Sequence, residues 1–123
     1  MSPAVVVGMP SGGVTAARGF LAAGVAAGLK ASGAPDVALV VNEGPGHAAA
    51  AVFTSNRIKA APVLWTEQCA RAGRFAAVVL NSGGANACTG PEGFADTHRT
   101  AEHVAQRLGL APIEVAVFNI GAN

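Results

Sequence analysis

Hydrophobic positions along this chain gather in short blocks separated by Gly, Pro, Asn and charged residues, and the spacing differs from block to block. Between Pro91 and Leu108, Phe94, Ala101, Val104, Ala105 and Leu108 recur at helical spacing, while Asp96, Arg99, Glu102, His103 and Gln106 fall elsewhere. This pattern predicts an amphipathic helix with a wet side. Pro91 suits its first turn, and Gly109 suits its end. A second helix is predicted from Val63 to Ala72, after Pro62 and before Gly73. It places Leu64, Gln68 and Arg71 on one flank and Trp65, Cys69 and Ala72 on another.

The remaining blocks are β-rich. Residues 36–42 (DVALVVN) lie between a Gly-Ala-Pro turn and the Glu-Gly-Pro-Gly run at 43–46, which predicts a buried strand. Residues 48–56 (AAAAVFTSN) follow directly and are predicted to form a second strand, joined to the first as an antiparallel hairpin. Residues 75–80 (FAAVVL) and 113–118 (IEVAVF) are the other strand candidates. The run GFLAAGVAAGLK at 19–30 is rich in Ala, but three glycines each subtract about 1 kcal/mol of helix propensity, so it is read as irregular and extended. Residues 1–13 are read as a lead-in and residues 14–123 as one domain. The order of elements points to an α/β or α+β arrangement, a mixed sheet packed with helices.

Composition narrows the function classes. The 123 residues suit one modest domain, and a net charge of +1 with 12% charged residues supplies no field for a phosphate polymer, so nucleic acid is not an expected partner. Apolar runs are broken far short of the ~20 residues a membrane span needs, and the N-terminus lacks the features of a secretory signal. Cys69 and Cys88 fit neither a zinc motif nor a disulfide framework and are read as free thiols in a reducing cytoplasm.

Candidate chemistry concentrates where FAAVVL runs into NSGGANACTG at 81–90. Gly83 and Gly84 allow close backbone approach, and N–H groups near a helix start can bind an anionic or carbonyl oxygen. Asn81 and Asn86 are either substrate contacts or internal braces. Neither phosphate-binding glycine motif is present. Cys88 precedes a helix, where a thiol can be activated, although a small buried residue is the commoner fate of Cys. His98 and His103 are five apart and do not share a helical face for metal. His47 is read as a solvated turn residue. Asn56, Arg57 and Lys59 form a polar step that either binds a carboxylate or is simply solvated.

The runs RGFLAAGVAAGLK, ALVVNEGPGHAAAAVFTSNRIKAAPVLWTEQ and VVLNSGGANACTGPEGFADT, in that order, resemble the N-terminal, α-chain part of the bifunctional ornithine acetyltransferases (glutamate N-acetyltransferases) of arginine biosynthesis. The resemblance covers roughly Val14 to Val117. It implies part of the DmpA-like αββα fold of that family and a cytoplasmic enzyme without a cofactor. It further implies a precursor that cuts itself before a Thr, leaving α and β chains that assemble as a heterotetramer. The freed N-terminal Thr then passes acetyl from N2-acetylornithine to glutamate. The family's oxyanion hole uses Thr and Gly of a Ser-Thr-Gly run; here Ile120 stands at the Thr position and Gly121 at the Gly. The nucleophilic Thr has no counterpart in these residues. The motif is lost abruptly after Phe118, so the sequence is expected to be a truncated or frameshifted α chain that is inactive alone and leaves apolar sheet surface open. The alternative is a non-catalytic α/β module that binds an amino acid or pairs with a separate β-like chain.

Overall fold

A computed structural model describes the backbone of residues 5–6 and the whole of residues 13–121. Its strands are β1 (Val5–Val6), β2 (Phe20–Val25), β3 (Val37–Asn42), β4 (Ala77–Ser82) and β5 (Val115–Ile120). Its helices are α1 (Ala61–Ala70) and α2 (Gly90–Leu108), and a single 3-10 turn, Pro112–Glu114, leads into β5. The strands form one sheet in chain order, antiparallel from β1 to β4 and parallel between β4 and β5. The mixed α/β class read from the sequence is therefore the class observed. Only the parallel pair needs a crossover, and α2 supplies it.

Alternation along the strands gives the sheet two different faces. Leu39, Val79 and Val117 stand side by side in register. With Ala77 and Val115 they meet Trp65 and Cys69 of α1 and Ala101 and Ala105 of α2 in the main core. The small Ala101 and Ala105, essentially without exposure, let α2 lie close to the sheet. The opposite face carries Val40, Val78, Leu80, Phe118 and Ile120. These side chains are half-buried or exposed.

Helix α1 does more than cover a face, because it also seals the outer edge of β5. Thr66 donates its hydroxyl to the Val117 carbonyl at 3.0 Å, and the Val117 N–H donates back to Thr66 Oγ1 at 3.1 Å. The Trp65 indole N–H donates to the Val115 carbonyl at 3.0 Å. Buried backbone groups on a sheet edge need such partners.

The structure corrects several expectations. Residues 48–56 form no strand beyond one bridge between Ala48 and Arg74, and Val52 is almost fully exposed. The physical reason is that both edges of β3 are already occupied, by β2 and β4, so no hairpin partner site remains. The 19–30 run contains a regular strand, β2, in place of an irregular one. Part of the 1–13 lead-in pairs as β1 with Gly24 and Ala23, while most of the Pro/Gly cluster before Val14 lies outside the described residues. Both later strands sit two residues further along than read from sequence, at 77–82 and 115–120.

Candidate cleft at the carboxyl ends of the parallel strands

Because β4 and β5 are parallel, their carboxyl ends lie together, next to the start of α2. Open α/β sheets commonly present ligand crevices at such ends. A cleft of about 320 Å³ opens there, lined among others by Asn81, Gly84, Asn86, Thr97 and Asn119. Three of the four loop residues singled out in the sequence therefore share one wall. Asn81 belongs to β4 instead of the loop, where it pairs in register with Asn119. Asn119 donates its side-chain amide to Asn81 Oδ1 and also to the Phe118 carbonyl at 3.0 Å.

Asn86 is the brace of this loop. Its Nδ2 donates to the Gly93 carbonyl at 2.6 Å and to Thr97 Oγ1 at 3.1 Å, and its Oδ1 accepts from the Thr89 hydroxyl. The Asn86 carbonyl also accepts the Ala61 N–H at the start of α1, at 3.0 Å. One residue thus ties the loop to both helices. Gly93 must stay without a side chain, since a Cβ there would overlap Thr89 and stand 2.5 Å from Asn86 Oδ1.

The remaining candidates are distributed around the cleft. Gly83 does not line it; the residue adopts φ +96° and lies against the Leu29 backbone and the Lys30 side chain. Ile120 pairs with Ser82 at the end of β5, but its exposed side chain falls on the open sheet face. It borders a separate hollow of about 240 Å³ with Gly24, Ala38 and Leu80. Gly121 follows next to Ala85 of the glycine-rich loop.

Cys88 is exposed, with a left-handed φ of 57°. Among the described residues no hydrogen bond joins it to a histidine. His98 lies over the Trp65 ring, centroids 4.8 Å apart, and reaches Glu102 at 3.3 Å. Cys69 is buried in the core, and burial pushes its thiol pKa up. His47 was expected to be solvated but is half-buried, its Nε2 lying 3.0 Å from the Asn42 carbonyl. Lys59 is engaged within the chain, in an ion pair with Glu67 at 2.6 Å. Among the described residues no group of three or more His, Cys, Asp or Glu is placed to hold a metal ion. No described helix is long and apolar enough to cross a membrane.

Sequence reasoning missed Asn119, Thr97 and Asp36. Asn119 had a legible signal, since it follows the apolar Val115 and Val117 on the same strand face. Asp36 had none: its partners are backbone N–H groups of a turn whose shape residue types do not reveal. Its carboxylate is buried and accepts from Ala27 at 2.6 Å, Leu29 at 2.6 Å and Lys30 at 3.0 Å. Those bonds, led by the Ala27 and Lys30 N–H groups, hold its pKa below the ordinary carboxylate value despite burial.

The comparisons with known proteins agree with this geometry. Residues 21–122 match the ArgJ family. The chain is 67% identical over 108 residues to the arginine biosynthesis bifunctional protein ArgJ of Streptomyces coelicolor, covering 88% of this chain and 28% of that protein. It is also 67% identical over 114 residues to the protein of the same name from Mycobacterium tuberculosis, again spanning 28% of its length. The fold overlays a crystal structure of ornithine acetyltransferase complexed with ornithine from Mycobacterium tuberculosis with a TM-score of 0.89 and 61% identity. That match covers 98% of this chain and 64% of the other. The ArgJ structure from Bacillus halodurans gives a TM-score of 0.86 at 34% identity, over 98% of this chain and 63% of the other. The chain belongs to the ArgJ family.

Proposed function

We propose that this chain is the N-terminal, α-chain part of a cytoplasmic ornithine acetyltransferase and glutamate N-acetyltransferase of arginine biosynthesis. In this reading residues 14–123 are a partial domain preceded by a lead-in. The complete enzyme transfers acetyl from N2-acetylornithine to glutamate through an N-terminal Thr that these residues do not include. The observation that carries the reading is the match of residues 21–122 to a family whose relatives are named for arginine biosynthesis. The overlay on an enzyme crystallised with ornithine supports it.

The Thr hydroxyl, activated by its own α-amine, takes the acetyl group and releases ornithine; glutamate then takes the acetyl group from the enzyme. This chain contributes the cleft wall of Asn81, Gly84 and Asn86, with Gly83 in the loop behind it. By the family's motif, Ile120 and Gly121 at the end of β5 stand at the oxyanion positions. Ile120 brings no hydroxyl, so the Gly121 backbone N–H is the only donor retained of the Thr–Gly pair. A β chain from the same precursor completes the enzyme in a heterotetramer, and the open apolar sheet face is surface for such a chain to cover. Incubating the purified chain with N2-acetylornithine and glutamate is expected to give no transfer above background. Clear turnover by the chain alone overturns the reading.

A further inference from the structure

Asp36 joins two regions that are distant in sequence. Its N–H donates to the Val25 carbonyl at 2.9 Å, at the end of β2, and its carbonyl accepts the Ser82 N–H at 2.8 Å, at the end of β4. Its carboxylate gathers the N–H groups of Ala27, Leu29 and Lys30 from the 26–35 turn. The peptide between Leu29 and Lys30 is shared between two neighbours. Its N–H side faces Asp36 Oδ2, and its carbonyl side faces Gly83, where an added Cβ would stand 3.2 Å from the Leu29 carbonyl carbon and 3.3 Å from its oxygen. Gly83 follows Ser82 and precedes Gly84, which lines the cleft.

From this chain of contacts we infer that Asp36 is a positioning residue for the cleft. Its carboxylate fixes the Leu29–Lys30 peptide, that peptide is the surface on which Gly83 rests, and Gly83 with Ser82 sets where the glycine-rich loop leaves β4. A carboxylate is required because three N–H groups converge on two oxygens, and both oxygens accept. An ordinary turn brace would end at residues 27–30. Here the braced peptide is itself packed against the next segment, where an added Cβ would crowd it at 3.2–3.3 Å and meet the Lys30 Cγ at 3.1 Å. The inference deepens the proposed function, because the loop it fixes forms the wall of the proposed cleft. Its test requires no turnover, so either reading can fail without the other.

Amide hydrogen exchange on the 123-residue chain and its Asp36→Asn variant provides the test. Asn keeps the shape but offers one acceptor oxygen in place of two. In the variant, protection of Ala27, Leu29, Lys30 and Ser82 is expected to fall together by about 10-fold or more, and the Gly83 and Gly84 amide resonances to shift. Ala105 and Val117, in the helix-covered core, are expected to keep their protection. A loss confined to residues 27–30, with Ser82 and Gly83 unmoved, overturns the inference; so does an equal loss at Ala105 and Val117. If the variant does not fold, the unaltered chain still decides. Protection factors of Ala27, Leu29, Lys30 and Ser82 that agree within about 3-fold mark one cooperative unit, whereas a turn that opens far more readily than Ser82 contradicts it.

Discussion

The two ends of the sheet are made of similar residues and are held in different ways. Strands β4 and β5 are backed by α1 and α2, so Ala77, Val79, Val115 and Val117 are buried and even the β5 edge is sealed by Thr66. Strand β3 reads VALVVN, at least as apolar, yet all six residues are only half-buried, and Leu21 of the adjoining β2 is 40% exposed. Apolar runs without alternation belong to strands covered on both faces. The described residues cover the β4–β5 end mainly from one side and the β2–β3 end sparsely. At the second end the turn between β2 and β3 is gathered by the Asp36 carboxylate.

The strongest way to break this contrast is to remove the anchor of the covered end. Trp65 is 8% exposed, meets Phe94 edge-on at 6.2 Å, and is bonded to β5 through its indole N–H. Trp65→Ala is expected to cost about 3–5 kcal/mol, measured by urea unfolding. A loss no larger than that of an exposed-residue substitution contradicts the assigned core. Next, Thr66→Val keeps the volume but leaves the Val117 N–H and carbonyl without their partner. The expected loss is about 1–3 kcal/mol; an unchanged midpoint means the β5 edge finds another partner.

At the other end, acid should act through Asp36. Its folded-state pKa is lowered, so the stabilisation it contributes is fully present above the unfolded carboxylate value and is lost as pH falls through that value toward the folded one. The difference in urea midpoint between the native chain and Asp36→Asn should therefore narrow from about pH 6 to about pH 3. A difference independent of pH shows that the carboxylate charge is not what holds the turn. The smallest effect is expected at Leu21, where Leu21→Ala should cost less than about 1 kcal/mol. A core-sized loss there means that the β2–β3 end is packed more tightly than its exposure indicates.

What was legible in the sequence follows the same division. Helix α2, with its periodic apolar face and closing Gly109, was readable to within a residue. The β-branched blocks of β3, β4 and β5 were readable to within about two. The hairpin read into residues 48–56 failed because strand pairing is decided by neighbours far along the chain. Local composition did not show that β2, with Gly24 within it, would take that edge of β3. At the cleft, Asn81 and Asn86 stood out because polar residues in a glycine-rich passage are conspicuous. Asp36 did not, because it acquires its role only when the backbone of the 26–35 turn is brought to it, and the signal at Asn119, its place on the Val115–Val117 face, is a matter of register rather than of composition.

A chimera tests the central claim most directly. Residues 21–117 of this chain replace the matching segment of the Streptomyces coelicolor ArgJ protein, which keeps its own residues beyond that point, and acetyl transfer from N2-acetylornithine to glutamate is measured. The chimera is predicted to retain transfer, and changing to Ile the Thr that its own Ser-Thr-Gly run places opposite Ile120 is predicted to lower turnover by about 10²–10³-fold, the effect of one lost oxyanion donor. A folded 21–117 chimera without transfer contradicts the assignment of this chain to the working α-chain part of the enzyme.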